Sequence, residues 1–237
     1  IDSIRRSVER DSSLDEPELV GRLTTGDDLA AFAAVDLVIE AVPEDRDLKE
    51  QALSRVEAVI PPHATLASNT SSISIDDLAA GRLHPERLLG LHFFNPVPAS
   101  ALVEIVRGAA TDPRVIESAA GWVAALGKTP IVVSDSPGFA SSRLGVMLGL
   151  EAIRMLEEGV ASAADIDAAM TLGYRHPMGP LRTTDVVGLD VRLGIAEELE
   201  RTLGERFAPP DLLRRMVAEG KLGRKSGEGF YAWNEER

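Results

Sequence analysis

The sequence predicts an α/β domain with a largely parallel sheet, followed by an all-helical domain. Three observations predict it. Short apolar runs alternate with amphipathic helical stretches from Asp36 to Val133, strand signals stop after Phe139, and only helical periodicity follows until the last residues. The boundary falls at Asp135 to Pro137, giving domains over 1–135 and 136–237.

Taken in order, Ile1 to Arg10 carries helical spacing through Ile1, Ile4 and Val8, and a short helix follows around Glu16 to Leu23. Leu29 to Phe32 reads as helical. Asp36 to Val42 is a buried-strand run stopped by Pro43, and Glu44 to Ile60 an amphipathic helix with Leu48, Leu53, Val56 and Val59 on its apolar face. Ala64 to Ala67 is a strand, Ser74 to Leu83 a short helix, Pro113 to Leu126 a helix with Val115, Ile116, Ala119, Trp122, Val123 and Leu126 on one face, and Thr129 to Val133 a strand. Four helices are expected beyond the boundary: Gly138 to Glu158, Ser162 to Leu172 with a Ser162/Asp165 capping box, Leu189 to Leu203, and Asp211 to Ala218. Gly173 and Gly220 stand where C-terminal helix glycines belong. Met147, Leu150, Met155 and Leu156 read as core or subunit interface.

Between Arg87 and Gly108, two apolar runs flank a Pro-punctuated link, the pattern of strand, tight connection and strand. His92 interrupts the first run and Glu104 the second. If the strands fold back about Pro98, residues whose numbers sum to 196 lie opposite, and this pair does. A lone carboxylate costs several kcal/mol to bury, so Glu104 must face water or have a partner. Bonded to an imidazole it fixes the tautomer and leaves the other ring nitrogen free to act as a base. The alternative is a His and a Glu on the solvated face of a two-stranded edge.

The 237 residues are enough for two modest cores. No apolar run approaches the ~20 residues that cross a bilayer, so no membrane partner is expected. The absence of cysteine excludes disulfides, thiol catalysis and thiolate metal sites, and is compatible with a reducing compartment; the expectation is a cytoplasmic protein without a metal centre. A net charge of −13 argues against nucleic acid as the main partner.

Six motifs stand in order over nearly the whole chain: SNTSS (Ser68 to Ser72), HFFNPVP followed by LVEIVRG, DSPGF (Asp135 to Phe139), HPMGP (His176 to Pro180), VGLD (Val187 to Asp190) and GRKSGEGFY (Gly223 to Tyr231). Together they resemble the L-3-hydroxyacyl-CoA dehydrogenase family. The resemblance implies a Rossmann-type dinucleotide-binding domain followed by a helical substrate and dimerisation domain. It implies NAD as cofactor, acyl-CoA as substrate, a homodimer, and oxidation of a 3-hydroxyacyl-CoA to the 3-ketoacyl-CoA. His92 would be the general base assisted by Glu104, with Ser71 and Asn95 positioning the reacting oxygen. Glu44, Lys49, Asn69, Ser71, Asn95 and Lys225 would surround the nicotinamide half of the cofactor, Asn69 by supporting its loop. Ser71, Ser142 and Ser7 would meet the substrate. Without the resemblance, Glu44 and Lys49 read as a charged first turn of a surface helix, Lys225 as a solvated loop residue, and the Ser/Thr cluster as caps.

Three features depart from the family pattern. No G-x-G-x-x-G turn occurs, and the family carries that unit upstream of the position matching Ile1; the expectation is therefore a chain lacking the first βαβ part. PGFASSR puts Ser142 where the family has Asn, and Arg182 and Thr183 replace a frequent Glu and an apolar residue. A non-catalytic or changed-substrate acyl-CoA-binding relative is one alternative. A Ser71–His92–Glu104 hydrolase is another, opposed by the absence of a G-x-S-x-G elbow.

Overall fold

A computed structural model describes Arg5, Glu9, 15–95 and 97–233. The expected helix over Ile1 to Arg10, and Ser7 within it, thus lies outside the described residues apart from Arg5 and Glu9. Five strands form one sheet in sequence order: β1 (Leu37–Glu40), β2 (Thr65–Ser68), β3 (Leu88–Phe93), β4 (Leu102–Arg107) and β5 (Thr129–Ser134). All neighbours are parallel except β3 and β4, which form the antiparallel hairpin.

After a short α1 (Glu16–Gly21), the parallel steps are made by α2 (Arg46–Glu57), α3 (Ile75–Ala79) and α4 (Pro113–Ala125). These helices cover both faces of the sheet. Leu66, Leu88 and Val106 pack on one side with Leu53, Ile75 and Leu78; Leu89, Leu91 and Ile105 pack on the other with Ala119 and Val123. Burial on both faces is why these strands read as continuous apolar runs rather than alternating ones. In the register Gly90 faces Val106, and a Cβ on Gly90 would lie 2.8 Å from the Val106 Cβ, so the central strands close up only over a glycine.

The element ends differ from the sequence expectation where polar caps decide them. Asp45 caps α2 by accepting from the Leu48 N–H, so the helix begins two residues after the expected Glu44, and Leu48 itself is half-exposed. Leu126 does not join the buried face of α4; it ends the helix and points to water. β1 borders the described sheet and leaves Ile39 40% exposed, so this run is not buried throughout.

The second half is helical, with α5 (Ser141–Glu157), α6 (Ala163–Ala168), α7 (Pro180–Val187), α8 (Leu189–Leu203) and α9 (Asp211–Ala218) around a core of Val146, Leu150, Ile153, Leu181, Leu199 and Phe207. Met147, Met155 and Leu156 pack against that core. The helix expected to 172 becomes α6 continued by a wide π-turn over Ala169–Gly173, after which Tyr174 and His176 both donate their N–H to the Met170 carbonyl. Gly220 is left-handed at φ +76, as a C-terminal glycine should be, whereas Gly173 is not among the positive-φ glycines. The helix α7 went unpredicted: Arg182, Thr183 and Thr184 break its apolar periodicity, while Pro180 suits its first position and Gly188 at φ +105 divides it from α8.

Two buried aspartates explain two of the motifs. Asp167 accepts from the Leu181 and Arg182 N–H groups at the start of α7 and from the Tyr231 hydroxyl at 2.8 Å, and a Cβ on Gly179 of HPMGP would fall 2.2 Å from its Cγ. Asp185 accepts from the Phe230 and Tyr231 N–H groups and from the Trp233 indole, and Gly223 and Gly229 of GRKSGEGFY are the residues that let the chain approach it. Three donors of the C-terminal segment are therefore held by the single carboxylate of Asp185. Replacing it in Asp185→Ala leaves three donors without their acceptor, costing ~3 kcal/mol or more. For a chain of this size the melting temperature should fall by roughly 6–12 °C in calorimetry; an unchanged melting curve would show that these donors find other partners.

Candidate active site

The site is built from the carboxyl ends of β1, β2 and β3 and the start of α5. In the β3/β4 register His92 lies directly opposite Glu104, as the sequence spacing requires. His92 is 4% exposed and Glu104 fully buried, and His92 Nδ1 lies 2.7 Å from Glu104 Oε2. The alternative of a solvated edge pair is thereby excluded.

Glu104 is held from a second direction. The DSPGF segment turns sharply through two consecutive left-handed residues, Gly138 at φ +73 and Phe139 at φ +50. That turn aims the Ala140 and Ser141 N–H groups at Glu104 Oε1, at 3.1 and 2.9 Å, and the Ser141 hydroxyl donates to Oε2. Burial pushes the Glu104 carboxyl up, but the bonds from His92 and Ser141 outweigh it and hold the pKa below the ordinary 4.5. The positive end of α5 acts in the same direction. The Phe139 ring packs edge-on to the imidazole with centroids 5.6 Å apart, and Phe94 closes another side at 4.7 Å.

On the open side of the imidazole, Ser71 Oγ lies 3.1 Å from His92 Nε2. The loop that carries Ser71 is shaped by Glu44: its Oε1 accepts from the Thr70 hydroxyl at 2.6 Å, from the Ser71 and Ser72 N–H groups at 2.9 and 3.0 Å, and from the Ser72 hydroxyl. Burial raises the Glu44 pKa, and these bonds together with the Lys49 charge bring it below 4.5. Lys49 is not a surface residue. It is 1% exposed, with its ammonium 2.9 Å from Glu40 Oε1, 3.1 Å from the Val42 carbonyl and 3.4 Å from Glu44 Oε2. Its charge is paired within the protein, next to the Glu44 loop.

The remaining expected residues divide. Asn95 is exposed just beyond β3, at the same rim. Asn69 spends its side-chain carbonyl on the Phe93 N–H at 2.9 Å, tying the β2 loop to β3 as loop support. Ser142 stands half-buried in the first turn of α5, beside the Glu104 clamp. Lys225 does not join the cluster among the described contacts; it pairs with Asp190 in the helical domain at 2.6 Å. Ser7 lies outside the described residues. Sequence reading missed Glu40 and Ser141. Glu40 carried the same signal as Glu104, a carboxylate inside an apolar strand run, while Ser141 gave none until the turn placed it.

A cavity of about 620 Å³ opens beside the dyad rather than on it, lined from the sheet side by Glu44, Ser72 and Asp135 and from α8 by Glu198 and Arg201. His92 and Ser71 do not line it. The convergence of three strand ends with polar side chains on one rim is the place an open α/β sheet offers a ligand. The exposed part of Glu44, with Ser71 bonded to it and Asn95 exposed just beyond β3, fits the polar nicotinamide half of NAD.

Comparison with known proteins agrees with this architecture. A family model described as 3-hydroxyacyl-CoA dehydrogenase, NAD binding domain, matches residues 2–136, and one described as 3-hydroxyacyl-CoA dehydrogenase, C-terminal domain, matches 138–233. A probable 3-hydroxybutyryl-CoA dehydrogenase of Deinococcus radiodurans is 43% identical over 233 residues, 98% of this chain and 84% of the relative. The 3-hydroxybutyryl-CoA dehydrogenase of Mycobacterium tuberculosis is 45% identical over 228 residues, 95% of this chain and 78% of the relative. The crystal structure of (S)-3-hydroxybutyryl-CoA dehydrogenase from Ralstonia eutropha superposes with a TM-score of 0.92 at 39% identity, covering 99% of this chain and 84% of that one. With both family models matched in order and the dyad, its helix clamp and the Ser71 loop assembled at their junction, the chain belongs to the 3-hydroxyacyl-CoA dehydrogenase family.

Proposed function

We propose that this chain catalyses NAD-dependent oxidation of (S)-3-hydroxyacyl-CoA to 3-ketoacyl-CoA, and the reverse. The observation that carries the reading is the hydrogen-bonded line Ser71–His92–Glu104 at the rim of the sheet. With the Nδ1 proton donated to Glu104, the Nε2 lone pair faces outward and takes the proton of the substrate's 3-hydroxyl. Ser71 turns its hydroxyl from Nε2 to the reacting oxygen, Asn95 bonds the same oxygen, and Ser142 meets the thioester carbonyl. Glu104 stabilises the imidazolium that forms. NAD, when bound, supplies the acceptor for the hydride that leaves C3, and Glu44 and Asn95 hold its nicotinamide half. Glu40, Glu44 and Lys49 carry two formal negative charges against one positive, a balance that favours the cationic oxidised ring.

The domain division at 135/136 assigns cofactor binding to the sheet and substrate binding and dimerisation to the helices. Exposed Leu144, Val187 and Val191 on α5, α7 and α8 support a homodimer through that domain. We place the protein in the cytoplasm, in keeping with its lack of cysteine.

The Ser–His–Glu line would also suit a hydrolase. Acyl transfer, however, needs free N–H donors facing the developing oxyanion. The N–H groups of Ser71 and Ser72 are donated to the Glu44 carboxylate, whose charge would repel an oxyanion there.

His92→Ala should lower kcat for NADH oxidation with acetoacetyl-CoA by ~10²- to 10⁴-fold while changing KM little; turnover equal to wild type would overturn the assignment. Glu104 has a folded pKa below 4.5, so its ionised form contributes stability that is present above 4.5 and lost as pH falls through the lower folded value. Glu104→Gln should therefore melt below wild type at pH 7, with the gap closing on acidification below 4.5. A gap that stayed constant down to the acid limit would contradict an ionised Glu104.

A further inference from the structure

The segment that joins the two domains is held at both ends. At its exit the Ala140 and Ser141 N–H groups and the Ser141 hydroxyl bond Glu104, the acid that orients His92. At its entry stands Asp135, which the mechanism above does not use. The Asp135 N–H donates to the Arg107 carbonyl at the end of β4, at 2.8 Å. Its carboxylate reaches across to the loop between β2 and α3: Oδ2 accepts from the Ser74 hydroxyl at 2.6 Å and from the Asp76 N–H at 2.9 Å.

Ser74 passes this contact on. As the cap of α3 it accepts from the Asp77 N–H at 3.1 Å, and it lies three residues after Ser71 in the same loop. The loop is therefore fixed from two sides, by Glu44 ahead of α2 and by Asp135 from the linker. Between the two anchors of the linker lies the left-handed turn of Gly138 and Phe139. A segment attached at one point can pivot, whereas one attached at two holds a single orientation. One anchor seats the base, through Glu104, and the other seats the hydroxyl facing it, through Ser74.

Capping alone does not account for Asp135. Its other oxygen, Oδ1, is sealed from solvent without a partner among the described residues, and Asp76 and Asp77 line the same cavity. An unpaired buried oxygen lowers stability, and such a cost is carried where a group is kept for its position.

We propose that Asp135 is a positioning residue that acts through Ser74 on Ser71. It ties the loop carrying the substrate-facing hydroxyl to the interdomain linker, so that Ser71 and His92 are held at their 3.1 Å spacing by the same segment. The proposal rests on the dehydrogenase reading above and adds a residue to it. Misplacing a reacting group by ~1 Å costs on the order of 10²-fold in rate. A loop released at one end therefore loses turnover while Glu44 stays in place.

The test is a double-mutant cycle on kcat for NADH oxidation with acetoacetyl-CoA, using the full chain. Asp135→Ala should lower kcat by ~10- to 100-fold, with KM for NADH within about two-fold of wild type. In a Ser71→Ala background the same change should cost less than about three-fold, because its effect passes through a hydroxyl already removed. Asp135→Asn keeps an oxygen that can accept both bonds now made by Oδ2, and should restore kcat to within about three-fold of wild type. Equal losses in the two backgrounds overturn the proposal and leave Asp135 as a helix cap; so does an Asp135→Ala protein with wild-type kcat. If Asp135→Ala does not fold, Ser74→Ala is carried through the same cycle with the same two outcomes.

Hydrogen exchange on these proteins gives a readout independent of the reaction. The Ser71 and Ser72 N–H groups, whose acceptor Glu44 is untouched, should exchange at least about ten-fold faster in Asp135→Ala than in wild type or Asp135→Asn; unchanged exchange overturns the proposal. A wild type that does not turn over acetoacetyl-CoA fails the dehydrogenase reading, and exchange alone then decides whether Asp135 holds the loop.

Discussion

The structure depends on keeping one carboxylate ionised inside the protein. Glu104 is fully buried in a central strand, a position that costs several kcal/mol unless its oxygens are occupied. Four donors occupy them: one from the neighbouring strand and three from the first turn of the helical domain. Orientation of the imidazole and attachment of α5 to the sheet are thus the same interaction. The left-handed turn through Gly138 and Phe139 exists in service of it, since only that reversal brings two N–H groups onto one oxygen.

Glu40 repeats the device at the other side of the sheet. It is a buried strand carboxylate satisfied by Lys49, the Ser68 hydroxyl and the Val42 N–H. Lys49 passes its remaining field to Glu44, and Glu44 fixes the loop that presents Ser71. Two buried acids therefore set the positions of the base and of the hydroxyl facing it. The same arrangement consumes the N–H groups an esterase would need, so a shared side-chain geometry leads to proton abstraction rather than acyl transfer.

Much of this was legible in the sequence because it is local. The hairpin register followed from spacing, and the buried strands from runs of Val, Ile and Leu. Read from its neighbours Asp45, Asp47 and Glu50 alone, Lys49 looks like part of a charged, solvated helix start; only the fold shows that the ammonium turns inward to Glu40. Lys225 pairs with Asp190, 35 residues away in sequence, a contact that no local pattern announces. The helix α7 was hidden because its stability comes from Asp167 capping rather than from apolar periodicity. Contacts made by one polar atom across a long loop leave no pattern along the chain.

The two members of the dyad are 12 residues apart, whereas the serine that completes their environment comes 37 residues after Glu104. Closure of a short hairpin carries little loop entropy and takes ~1–10 μs, while docking of a separate helical unit is slower. On these timescales the hairpin that brings the base to its partner closes faster than the helix N-terminus docks onto it. A chain whose helical half is loosened would keep the His92–Glu104 pairing but lose the N–H groups that make the acid worth burying, so catalytic competence would fade before the sheet does.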